Sequence, residues 1–173
     1  GTTRQGYNYA DYPQTTVGAD IPSWYFADKF KKPSLLYYNM ECLKGTTTDY
    51  YIWNHRLLPM IMVFAGRVDL NSVTPPTQKV WAGEGETPVV LVHTDWTWSD
   101  TDKYLGVKGG KARSSHAHMD AGSFVYDAYG VRWSMDLGRQ DYATLEVALK
   151  ALGGNLWTYT QASLRWEVSR LNN

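Results

Sequence analysis

The order of patterns along the chain predicts an α+β fold, with helices first and antiparallel strands after them. Residues 20–65 carry helical spacings bounded by capping residues and prolines. Val73-Thr-Pro-Pro76 then breaks the chain, and beyond it apolar residues alternate instead of recurring every third or fourth position. Strand and helix do not take turns as a parallel βαβ sheet requires. The reading divides the chain into a helical domain, residues 1–75, and a sheet domain, residues 76–173.

Taken in order, residues 1–20 are polar, with Gly6, Pro13 and Gly18, and read as a loop wrapped on another part of the fold. Asp20 followed by Pro22 predicts a short helix that Pro33 ends. Ser34 caps a second helix over Leu35–Lys44, stopped by Gly45. Asp49 caps a third over Tyr50–Leu58, which Pro59 terminates or kinks before Met60–Ala65. Ile52, Leu57, Leu58, Ile61, Met62 and Phe64 make an apolar stripe assigned to the core, and His55 inside it reads as structural. Strands are expected at Lys79–Ala82 and Pro88–His93, joined through Gly83-Glu-Gly85, and again at Tyr104–Lys108. Thr94–Asp102 is an acidic loop with Trp96 and Trp98, and Gly109–Ser115 is a basic, glycine-led stretch. Gly122–Asp127 and Val131–Asp136 read as a hairpin, with Ala128-Tyr-Gly130 as a three-residue loop and Gly130 in its left-handed position. Arg139–Leu152 is helical in pattern through Tyr142, Leu145, Val147 and Leu149, and Leu156–Asn173 returns to strand.

Composition narrows the function classes. The chain has 173 residues, is 43% apolar and carries zero formal net charge. No global field draws in a polyanion, no nucleic-acid partner is expected, and an acidic ligand needs a local basic patch. Lys111 and Arg113 offer one. Eight Trp and thirteen Tyr suit stacking on sugar faces and equally suit an aromatic core. Cys42 is the sole cysteine, which excludes an internal disulfide and fits a reducing compartment or a Gram-negative periplasm. The longest apolar run, Leu57–Ala65, is interrupted by Pro59 and is too short to span a bilayer. Gly1 reads as a cleavage scar, and with no terminal signal the chain is expected to be an excised piece of a longer enzyme.

Chemistry concentrates in Ser114–Gly138, where His116, His118 and Asp120 stand at alternate positions and Asp136 closes the following hairpin. On an extended strand such positions share a face, and an odd-length loop would return Asp136 to it, a register that the sequence alone does not fix. Two imidazoles and a carboxylate at one point make a zinc site or an acid/base cluster.

His116-Ala-His118-Met-Asp120-Ala-Gly-Ser-Phe124, with Asp136-Leu-Gly138 and Tyr142, resembles the signature of the heparinase II/III family of polysaccharide lyases. Trp166-Glu-Val-Ser-Arg170-Leu-Asn-Asn173 is similar to the segment leading into that family's later HNT-type motif. The resemblance implies the last helices of an α/α-toroid over residues 1–75, followed by the start of an antiparallel β-sandwich. It implies β-elimination on uronic-acid polysaccharides by a periplasmic or secreted bacterial enzyme. His116 matches the active-site histidine, His118 and Asp136 match two ligands of a mainly structural zinc, and Asp120 is placed as support for His118. These roles imply that His116 lines a cleft open to solvent while His118 turns inward toward Asp136. Lys111, Arg113 and Trp96 are the candidate substrate-binding residues, and His93 stands where the family usually has arginine.

Two departures follow. The family's catalytic tyrosine and a further histidine lie upstream of this sequence, and its third zinc ligand is a histidine expected just past Asn173. Full lyase activity and tight zinc are therefore expected of the parent and not of the isolated chain. Two other classes compete. A cupin-type metal oxygenase would use His118 and Asp120 with His93 as the distal ligand, and a non-catalytic carbohydrate-binding sandwich would use Trp96, Trp98 and Trp133.

Overall fold

A computed structural model describes residues 3, 5–9, 20–45, 56–97, 99–110, 120–138 and 141–151. The chain divides into two compact units, Val17–Lys79 and Gly1–Thr16 together with Val80–Asn173. Helices populate the first and a five-stranded antiparallel sheet dominates the second, which makes the fold α+β.

In the helical unit, α1 spans Pro22–Phe30. Asp20 accepts the Ser23 N–H at 2.8 Å and Pro22 needs no partner in the first turn, so the predicted start holds. The helix closes on Lys31 in the left-handed region at φ 50°, with Lys32 N–H reaching Ala27 O at 3.0 Å, before Pro33. Pro33–Leu36 is a 3-10 turn, and α2 follows over Tyr37–Gly45, two residues later than a Ser34 cap predicts. The next helix among the described residues, α3, covers Leu58–Ala65 with Pro59 in its first turn. Proline is accommodated there because no intrahelical acceptor exists for a first-turn N–H, and the helix begins two residues before the expected Met60; of the helix predicted over Tyr50–Leu58, residues 50–55 lie outside the described residues and 56–57 form a turn. Asp49, Ile52 and His55 lie outside the described residues.

Trp24, Ala27, Leu36 and Phe64 form this unit's core, with Ile61, Met40 and Leu43 packed against it. The predicted stripe is only partly inside: Met62 is 78% exposed and Leu57 is also exposed. On a helix this short, Ile61, Phe64 and Ala65 share one face through their i, i+3, i+4 spacing, and Met62 falls on another. The Cys42 thiol on α2 is buried.

The sheet is a meander, β1 (Val80–Ala82), β2 (Val89–His93), β3 (Tyr104–Lys108), β4 (Phe124–Ala128) and β5 (Val131–Ser134), each strand paired with the next. The helix α4, Tyr142–Ala151, follows within the predicted segment, and the predicted strand over 156–173 lies outside the described residues. The β4–β5 loop has two residues where the sequence predicts three. Ala128 pairs with Val131, and Tyr129 and Gly130 have φ 54° and 73°, the signs a type I′ turn demands. A register shift follows, from Asp127↔Arg132 to Tyr126↔Ser134, which makes Trp133 the extra residue. The bulge restores beyond it the parity that an odd-length loop would have given.

Register lays out one buried face of this sheet. Tyr104 sits between His93 and Asp127, and Asp127 faces Arg132. Gly106 sits between Leu91 and Val125, and Lys108 lies beside Val89. Residues 5–9 cover the face, with Tyr7 packed over Gly106 so closely that a Cβ there would meet Tyr7 Cδ1 at 2.8 Å. Arg132 clamps this segment by donating from Nη1 to Gly6 O at 2.7 Å and from Nη2 to Gln5 O at 2.9 Å.

Candidate functional site

The described part of the motif starts at Asp120, which occupies a turn and not a strand. Ser123 N–H donates to Asp120 O at 2.8 Å across Ala121 and Gly122, and Gly122 takes φ 93°, where an L side chain is strained. Both sides of this turn are tied to the backbone of Lys108: Gly122 N–H donates to Lys108 O at 2.7 Å, and Lys108 N–H donates to Ser123 O at 3.0 Å. The Asp-Ala-Gly-Ser order thus carries two polar side chains onto the sheet's buried face.

There, the Asp120 carboxylate pairs through Oδ1 with the ammonium of Lys108, which is 1% exposed and lies 6.0 Å above the Tyr9 ring. Asp120 Oδ2 is buried and has no hydrogen-bond partner among the described residues. Tyr7 Oη donates to Ser123 O at 2.7 Å and accepts from Ser123 Oγ at 2.8 Å. Burial pushes the Tyr7 phenol up against the Ser123 hydrogen bond, and the Asp136 and Asp120 carboxylates push it the same way. Asp136 is half-buried past the end of β5; its Oδ1 accepts the Gly138 N–H at 2.7 Å, and its backbone O accepts Asn8 Nδ2 at 2.9 Å.

At the opposite end of the face, His93 Nδ1 donates to Asp102 Oδ2 at 3.3 Å. Its ring stacks on Trp96 at 4.3 Å and tilts against Tyr104 at 4.8 Å, with Trp81 edge-on. Burial lowers the imidazole's affinity for a proton, and Asp102 acts against that. Burial also raises the Tyr104 phenol to about 12. Trp96 thus serves as a packing partner of His93, half-buried. Trp133 is 65% exposed, with Nε1 tied to Ala128 O at 3.0 Å.

His116, His118, Lys111, Arg113 and Trp98 lie outside the described residues, so the predicted cleft and the approach of His118 to Asp136 do too. Among the described residues no three His, Cys, Asp or Glu side chains gather as a metal site. Lys108, Tyr7 and Asn8 were not singled out from the sequence. The one signal was parity, since Lys108 shares a strand face with Tyr104 and Gly106. No family model matches the chain, and no curated protein matches it. No helix among the described residues is long and apolar enough to cross a membrane.

Proposed function

We propose that this chain is part of a polysaccharide lyase of heparinase II/III type, acting on a uronic-acid polysaccharide by β-elimination. The observation that carries the reading is the setting of Asp120: this motif carboxylate meets the buried Lys108 ammonium on one polar face of an antiparallel sheet, with Ser123 of the same motif bonded to Tyr7 beside it. Helices preceding that sheet agree with terminal toroid helices followed by a β-sandwich.

β-Elimination at C4 requires three things of the protein. The uronate carboxylate is neutralised so that the C5 proton becomes acidic, a base removes that proton, and an acid protonates the leaving oxygen. His116 supplies charge neutralisation or moves a proton, and Lys111 and Arg113 meet the acid groups of the polymer. His118 and Asp136 are the residues that would hold a zinc ion, which would supply a structural cross-link there. An imidazole with a carboxylate suits zinc, and the unmet buried oxygen of Asp120 fits a histidine held from behind. The parent protein would be periplasmic or secreted.

A second reading, a carbohydrate-binding module, draws on Trp133, whose exposed indole is anchored through Nε1. One experiment separates the two. The full-length protein is incubated with heparan-type and alginate-type polymers while the ultraviolet absorbance of unsaturated uronate is followed. A signal that His116→Ala abolishes is the expected result. Binding without absorbance, lost in Trp133→Ala, would replace the lyase with a module.

A further inference from the structure

We propose that the tip of the β4–β5 hairpin is a holding subsite for an acidic polysaccharide, with the Tyr129 and Trp133 rings as stacking surfaces and Lys103 and Asp100 as their polar surround. This rests on the polysaccharide reading above and holds whether or not the polymer is cleaved. Tyr129 is the first residue of the two-residue turn, at φ 54°. Glycine, asparagine and aspartate take that position at little cost, while a bulky side chain is strained there. Burial does not offset the strain, because Tyr129 is 66% exposed. Strain that the fold does not need gathers at sites of function.

Trp133, the extra residue of the bulge in β5, is 65% exposed. A bulge re-aims a side chain, and here Trp133 Nε1 donates to Ala128 O at 3.0 Å, which pins the indole to the hairpin and occupies its one donor. What the ring offers a ligand is therefore a π face and no hydrogen bond. The β2–β3 loop brings charge to the same tip. Lys103 Nζ lies 5.5 Å from the Tyr129 ring centroid, and a Cβ on Gly130 would meet Asp100 Oδ1 at 2.9 Å. A uronic-acid residue matches that set: its C–H face stacks on an aromatic ring, its carboxylate pairs with an ammonium, and its hydroxyls donate to a carboxylate. An apolar partner would bury both charges against a surface that cannot pair them.

The test uses the full-length protein and affinity electrophoresis in gels holding alginate, heparan sulfate or, as a neutral control, dextran. Tyr129→Asn supplies a residue the turn prefers, so its urea midpoint should rise while its affinity for an acidic polymer falls about 2–10-fold. That opposition of sign is what a purely structural ring would not give. Unchanged affinity in folded Tyr129→Asn overturns the proposal and leaves the polysaccharide reading standing. Trp133→Ala, checked for folding by circular dichroism, should weaken the same polymer. Lys103→Gln should lower affinity at low salt and match the unaltered protein at high salt. Equal losses in dextran would make the ligand a neutral glycan and overturn the acidic assignment. If the aromatic variants instead abolish self-association in sedimentation and leave polymer binding intact, the tip is a contact between copies and the proposal falls. If neither acidic polymer retards the unaltered protein, the polysaccharide reading falls and the subsite with it.

Discussion

Trp24, Ala27, Leu36 and Phe64 close the core of the helical unit with apolar surface, whereas the buried face of the sheet unit sets Lys108, Asp127 and Arg132 among Tyr7, Tyr104 and Val125. In the first, stability follows from area removed from water and from the absence of voids. In the second, it follows from whether each charge has its partner. An apolar core tolerates reshaping, but a face of paired charges fixes one geometry and responds to pH. Chemistry needs groups held in place, and the sheet unit is where they are held.

The largest expected effect lies on the polar face. Asp127→Ala strands the Arg132 guanidinium, whose side chain is 6% exposed and whose Nε now meets Asp127 Oδ1 at 2.6 Å. A loss of about 3–5 kcal/mol is expected in urea unfolding. Replacing both partners, Asp127→Leu with Arg132→Met, should recover most of it; a double variant no better than the single one would show that packing, not pairing, governs this face. On the apolar side, Leu36→Ala empties a fully buried position and should cost about 2–5 kcal/mol. Segment-resolved amide exchange should then accelerate in α1, α2 and α3, and acceleration centred on β2–β4 instead would break the contrast.

The smallest effect is alkaline. Tyr104 is raised by burial to about 12, against about 10 for an unfolded tyrosine. Between those values the unfolded chain releases the phenolic proton and the folded one retains it. The contribution is thus fully present below pH of about 10 and is lost as pH climbs toward 12, on the order of 2–3 kcal/mol in all. Tyr104→Phe should flatten that slope, and phenolate absorbance should locate it.

Local signals carried the strands and failed at their junctions. Tyr104–Lys108 was legible to the residue because a period-two run is bounded by Lys103 and Gly109. The start of the helix after Pro59 was placed two residues late because one residue type marks both a helix stop and a first turn. The hairpin's two-residue turn and its bulge cancel in parity, so Asp136 is half-buried as the longer loop would have it, by another route. Lys108 was illegible for a different reason. Its burial depends on Asp120, across a connection whose length says nothing of where it returns. Hydropathy favours Leu105 and Val107 for the inner face, and the buried set is the other one.

Cys42 has a consequence for how this molecule is measured. The only thiol in the sequence is 5% exposed within the helical unit. A small disulfide reagent added in excess must wait for α2 to open, so its reaction rate counts excursions of that unit alone. The sheet unit, having no sulfhydryl, stays silent in the same trace. A single absorbance curve on unlabelled protein therefore yields the opening frequency of one half of the chain without any engineered tag.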